Sequence, residues 1–312
     1  MLSRTADHLY WMARYTERAE NVARLLDVTS RMSLLPHEQS RGYWGAALSA
    51  NGVEEEYRLK FDDSFAERDV VRFMVLDDDN PSSIRACLRA ARENAHAVRG
   101  TITSETWETL NSTWIEMREV RPSQLQGSGL TSFFEWVKFR SHQSRGVTVG
   151  TMLRDEAFQF IRLGTFLERA DNTSRILDVK YDELAPQTQP GMEYYEWGAL
   201  LRSVSAFEIY RRVYRDVITP ARVAELLILR VDMPRSLRAC MEEVYPILHT
   251  IANSQSGETE RRAGEIHAQL QFGRMEDIFN HGLHTWLTAF LERTADLGNR
   301  ISADFLVPTE PR

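Results

Sequence analysis

The sequence predicts an all-α protein, a multi-helix bundle with internally repeated long helices. Three observations carry this. Apolar residues recur at helical spacing over several long segments, proline and glycine mark the ends of those segments, and strand-type alternation is confined to short pieces, Tyr57 to Phe61 and Val70 to Leu76. The 312 residues, 43% of them hydrophobic, suffice to bury an ample core without disulfides, which sets aside the disordered, collagenous and disulfide-scaffold classes. Residues 1–312 are expected to form a single all-helical domain, with a candidate internal linker near 183–191, where Pro186, Pro190 and Gly191 cluster.

The elements follow in order. Leu9, Met12, Tyr15, Ala19, Val22 and Leu26 give the segment from Thr5 to about Leu34 one apolar face, and Pro36 closes it. Residues 37 to 79 carry glycines and two acidic runs, so loops and short helices are expected there. Asn80-Pro81 reads as an N-cap with proline at the first helical position, opening a helix that ends at Arg99-Gly100. Thr103 caps the next, which runs through Leu110 and Met117. Ser132 and Glu135 have capping-box spacing ahead of Trp136. A long periodic segment spans Arg154 to about Tyr181. Thr219-Pro220 and Met233-Pro234 repeat the cap-plus-proline pattern, the second helix running from Arg235 towards Ile251 over Pro246, and Glu276 to Phe305 forms the last helix.

Charge and cysteine usage narrow the function. A formal charge of −7 repels polyanions, so nucleic acid is not an expected partner. Cys87 and Cys240 lie far apart with no CxxC or Cys/His spacing, and His281 with His284 lacks a second pair of ligands, so no metal is expected. The start of the chain has no long apolar stretch, and nothing approaches the ~20 apolar residues of a membrane span, which makes a cytoplasmic location without membrane contact the expectation. No GxGxxG after a strand, P-loop, HExxH or GxSxG occurs, and no cofactor is expected.

The most informative feature is an internal repeat. Glu17-Arg18-Ala19-Glu20-Asn21-Val22-Ala23-Arg24-Leu25-Leu26-Asp27-Val28 recurs as Glu168-Arg169-Ala170-Asp171-Asn172-Thr173-Ser174-Arg175-Ile176-Leu177-Asp178-Val179. Glu292-Arg293 begins a weaker third copy. At about 100° per residue, Glu17, Asn21 and Arg24 form one stripe of acid, amide and base, and Glu168, Asn172 and Arg175 form another, with Arg18 and Arg169 at the border of the apolar face. Such stripes could be displayed to solvent, could neutralise each other inside the bundle, or could form a ligand or catalytic site. In a catalytic site Glu17 and Glu168 would be the acid/base candidates, because arginine keeps its proton. Arg92, Glu93 and Asn94 repeat the residue types in another order, as a third polar contribution or as ordinary helix surface. Arg140, His142 and Arg145, with Arg154 and Arg162, make a basic excess able to receive a carboxylate or phosphate, or to lie solvated on a helix face.

These residues carry a resemblance. Met1-Leu2-Ser3-Arg4, Leu9-Tyr10-Trp11-Met12, the two Glu-Arg segments, Ala91-Arg92-Glu93-Asn94-Ala95, Met152-Leu153-Arg154-Asp155-Glu156-Ala157, Arg202-Ser203-Val204-Ser205-Ala206-Phe207 and Pro234-Arg235-Ser236-Leu237 make the chain similar, nearly end to end, to the bacterial alpha-E family, a predicted all-helical family named for its Glu-Arg motif. The resemblance implies partnership with circularly permuted ATP-grasp-type and transglutaminase-like proteins, encoded alongside, in peptide or amide-bond synthesis and modification. It carries over no catalytic residue. A non-catalytic partner of the ligase is therefore the leading expectation, against a stand-alone transferase acting on amino-acid or peptide substrates and a purely architectural helical protein.

Overall fold

The computed structural model describes residues 1–34, 40–61, 63–184 and 192–307. Among these, fifteen α-helices and one short 3-10 turn account for the regular structure and no strand occurs. The helices are α1 (Ser3–Ser33), α2 (Ser40–Asn51), α3 (Glu54–Arg58), α4 (Glu67–Leu76), α5 (Ile84–Ala97), α6 (Ser104–Arg118), α7 (Ser128–Thr151), α8 (Glu156–Leu184), α9 (Met192–Ser203), α10 (Phe207–Tyr214), α11 (Pro220–Ile228), α12 (Leu237–Thr250), α13 (Gly257–Phe272), α14 (Met275–His281) and α15 (Leu283–Phe305). The all-α expectation holds, and Val70 to Leu76, whose alternation hinted at a strand, lies within α4.

The order of elements repeats. α1 to α6 correspond to α8 to α13, and α7 corresponds to α15, each of these two being entered through a positive-φ glycine, Gly127 and Gly282. Trp44-Gly45-Ala46 in α2 matches Trp197-Gly198-Ala199 in α9, and the positive-φ Gly52 that follows α2 matches the positive-φ Ser205 that follows α9. Thr103 precedes α6 as Ser256 precedes α13. Packing repeats as well: α1 lies on α5 and α7, and α8 lies on α12 and α15, while α1 and α8 pack directly on each other.

That central contact needs close backbones. A methyl group built on Gly164 of α8 would run into the Tyr10 carbonyl oxygen of α1 and stand 3.3 Å from Ala13 Cβ, so glycine is required where the two long helices cross. The core spreads from this crossing, with Leu9, Tyr10, Leu26, Phe73, Phe160 and Leu227 essentially without exposure. Trp197 and Trp286 are buried, whereas Trp11, Trp107, Trp114 and Trp136 pack against the core half-buried.

Several expected boundaries move, each for a local reason. Asn80 does not cap α5: its side chain accepts from the Ser82 N–H in a turn, and Ser83 caps the helix by accepting from the Ala86 N–H. Met233-Pro234 likewise precedes the true cap, Ser236, which accepts from the Ala239 N–H. Thr103 and Thr219 cap α6 and α11 as expected. Ser132 lies inside α7, its hydroxyl donating to the Ser128 carbonyl oxygen. The final segment is two helices, broken at Gly282 with φ +91°. Pro36 and residues 185–191 of the expected linker lie outside the described residues, and 183 and 184 belong to α8.

Candidate functional site

The two Glu-Arg dipeptides meet at the α1–α8 crossing, each copy completing the other. Arg169 donates from Nε and Nη2 to the two carboxylate oxygens of Glu17 at 2.9 and 3.1 Å. Arg18 donates from the same two nitrogens to Glu168 at 2.6 and 3.0 Å. Both are fork-to-fork contacts, the geometry that makes arginine–carboxylate pairing strong and directional. Glu17 is 1% exposed and Glu168 4%, so the acidic members of both stripes face inwards, while Asn172 and Arg175 of the second are half-buried.

Further arginines close the site. Arg235, just ahead of the Ser236 cap of α12, reaches Glu17 at 3.0 Å, Asn21 at 2.9 Å and Glu20 at 2.7 Å. Arg145 of α7 bonds Glu17 at 2.8 Å and Glu20 at 2.5 Å, and Arg24 holds Glu20 from the next helical turn at 2.7 Å. Ser141 donates to the remaining position on Glu20. On the other side Arg14 donates to Glu168 at 2.7 Å, and Arg175 pairs with Asp171 at 2.8 Å. Glu17 and Glu20 thus accept four hydrogen bonds each, all that a carboxylate has room for.

Burial alone would push these acids towards neutrality, and the guanidinium groups reverse it. For Glu168, burial raises the pKa, but Arg18 and Arg14 outweigh it and hold the carboxyl at about 2. Burial likewise acts upward on Glu17 and Glu20, and Arg169 with Arg235 for the first, Arg235 with Arg145 for the second, keep both below the ordinary carboxylate range. None of these three carboxyls is left to pick up a proton near neutral pH, while His142, in contact with Arg24 and Arg145 at the edge of the network, has its pKa lowered by burial. Cys87 and Cys240 lie beneath the two halves of the network, and burial pushes both thiols up to about 12.

Not every candidate from the sequence arrives here. Asn172 lies beside the network without a hydrogen bond among the described residues. Arg92 bonds Asn111 and Glu93 over the Trp107 ring on the α5–α6 surface, and Asn94 bonds His8. The third copy stays outside: Glu292 is exposed and Arg293 donates to Gln269. His284 pairs with Asp178 rather than with His281, and no group of side chains among the described residues has metal-ligand geometry. Arg140 turns to Thr113 and Ser112, but Arg145, Arg154 and Arg162 do converge, lining with Arg169 a cavity of about 380 Å³ whose walls include Phe158 and Phe166.

Arg14 and Arg235 carry no role in the sequence reading, and Glu20 stands in the repeat outside the stripe. Arg235 had a signal, a second internal repeat. Asp79-Asn80-Pro81-Ser82-Ser83-Ile84-Arg85-Ala86-Cys87-Leu88 matches Asp232-Met233-Pro234-Arg235-Ser236-Leu237-Arg238-Ala239-Cys240-Met241 at six of ten positions. Structure follows sequence: the Ser83 hydroxyl donates to the Asp77 carbonyl oxygen and the Ser236 hydroxyl to that of Arg230, both six residues back.

Fold and site together define an all-helical protein built around two reciprocally paired Glu-Arg dipeptides. The sequence model of the alpha-E family, described as a predicted alpha-helical domain with a conserved ER motif, matches residues 1–306, and the chain belongs to that family. Uncharacterized proteins of Mycobacterium tuberculosis and Mycobacterium bovis are 26% identical to it over 294 residues, which is 88% of this chain and 33% of theirs. The chain spans about a third of the length of these curated relatives. No solved structure matches it. Among the described residues no helix is long and apolar enough to cross a membrane.

Proposed function

We propose that this protein is a non-catalytic helical partner of a circularly permuted ATP-grasp-type ligase, in a system that forms or modifies peptide or amide bonds and includes a transglutaminase-like protein. The partnership rests on the family resemblance. The non-catalytic part rests on one observation: Glu17 and Glu20 are saturated with hydrogen bonds and Glu168 is held at a pKa of about 2, so none of these three carboxylates can shuttle protons near neutral pH. ATP would bind to the ligase. The arginine-lined cavity of about 380 Å³ offers a carboxylate- or phosphate-bearing chain a place to be held.

Reconstitution tests this. Ligase co-purified with this protein should form product, and ligase alone should not. Full activity without this protein would overturn the reading. Turnover by the purified protein alone, lost in a folded Glu168→Gln variant, would establish the transferase alternative instead.

A further inference from the structure

We propose that the cavity beside Ser82 binds a ligand guanidinium group, which fills in the second half of the molecule the place that the Arg235 side chain fills in the first. The inference stands independently of the ligase reading, since it needs only the duplication and the cavity.

Arg235 and Ser82 are equivalent residues. Each directly precedes the serine that caps its helix, Ser236 for α12 and Ser83 for α5, in the second repeat. Arg235 crosses to the opposite long helix and meets Glu17, Glu20 and Asn21. Ser82 faces the matching residues Glu168, Asp171 and Asn172, but its side chain is too short to fill the space. What remains is a cavity of about 210 Å³, the volume of roughly seven waters at about 30 Å³ each, lined by these four residues with Arg18, Asn21, Arg175 and the end of α2.

The hydrogen-bond inventory has gaps that match the absent group. Glu17 Oε1 accepts from Arg169 Nε and again from Arg235, whereas Glu168 Oε1 accepts only from Arg18 Nε. Glu20 accepts from both Arg24 and Arg235, whereas Asp171 accepts from Arg175 alone. Asn21 Oδ1 accepts from Arg235, whereas no hydrogen bond engages the Asn172 side chain among the described residues. Three acceptors equivalent to those that hold the Arg235 guanidinium therefore each lack one partner. A cation here would join Arg14, Arg18 and Arg175, which is no more crowded than the first half, where Arg235 sits with Arg24, Arg145 and Arg169 about two carboxylates.

Agmatine is the probe, with its neutral urea analogue N-carbamoylputrescine as control, measured by calorimetric titration of the full chain. Agmatine should bind saturably, and the urea analogue at least about tenfold more weakly, because hydrogen bonds between charged groups are lost. Ser82→Arg should abolish agmatine binding by supplying the guanidinium from within. Asn172→Ala, which removes an unengaged side chain, should weaken agmatine about fivefold without lowering the melting temperature. No saturable binding up to ~10 mM agmatine, equal binding of the urea analogue, or undiminished binding by a folded Ser82→Arg variant would each overturn the proposal.

Discussion

Glu17 and Arg169 stand 152 residues apart in the chain and form the same bidentate contact as Glu168 and Arg18, with the roles of the two helices exchanged. Neither dipeptide could neutralise itself, because adjacent residues on a helix diverge by about 100°. The two copies are therefore one structural device, and its energetics can be measured.

Glu168→Gln should cost about 3–5 kcal/mol, since it strands Arg14 and Arg18 in a buried setting. The penalty should depend on pH. With its folded-state pKa lowered to about 2, Glu168 contributes stability fully above the unfolded value near 4.5 and loses it as pH falls through 2. That contribution is about 3 kcal/mol. Urea unfolding should show a difference between wild type and variant that is constant from pH 7 to about 5 and shrinks below it.

Position, not motif, should decide the effect of Glu-Arg substitutions. Glu292→Ala and Arg293→Ala should change stability by no more than about 0.5 kcal/mol, because Glu292 is exposed and Arg293 meets only Gln269. Arg18→Ala and Glu168→Ala in a double-mutant cycle should instead couple by about 1–3 kcal/mol. Chemical denaturation of wild type, the four single variants and the Arg18→Ala/Glu168→Ala double variant checks both statements.

Gly164→Ala should destabilise by about 1–3 kcal/mol although alanine is the better helix former. The added methyl meets the Tyr10 carbonyl oxygen, and α1 must retreat, stretching the paired forks. Gly146→Ala on α7, where a methyl meets nothing within 4 Å, should be neutral or stabilising. Thermal melts of the two variants distinguish helix propensity from the crossing.

Cys87 and Cys240 should resist a thiol reagent such as Ellman's in the native protein and react together on unfolding. Both are fully buried and their thiols are pushed up to about 12. Labelling across a urea titration should follow the unfolding transition.

The sequence disclosed what depends on local spacing. The apolar period of α1, the threonine caps of α6 and α11 and the existence of the two acid-amide-base stripes all follow from residues within a few turns of one another, whereas the side to which the stripes turn stays open. The site's remaining members come from afar: Arg235 reaches Glu17 across 218 positions and Arg145 across 128, and no local period encodes such a meeting. Arg145 in particular looks like part of a solvated basic face until α7 is laid against α1. Proline misled at Asn80-Pro81 and Met233-Pro234 because a side-chain-closed turn or a second serine takes the cap two or three residues later.

The exchange of partners between the first and second dipeptides has the logic of a two-fold symmetric association, in which each surface is its own complement. A shorter chain carrying one copy would have found its counter-charges only on a twin molecule. Joined end to end, the halves no longer needed to match, and one could keep an arginine where the other kept a serine. Covalent linkage thus frees such a junction to be lopsided, with an arginine filling the place on one side that stays a cavity on the other.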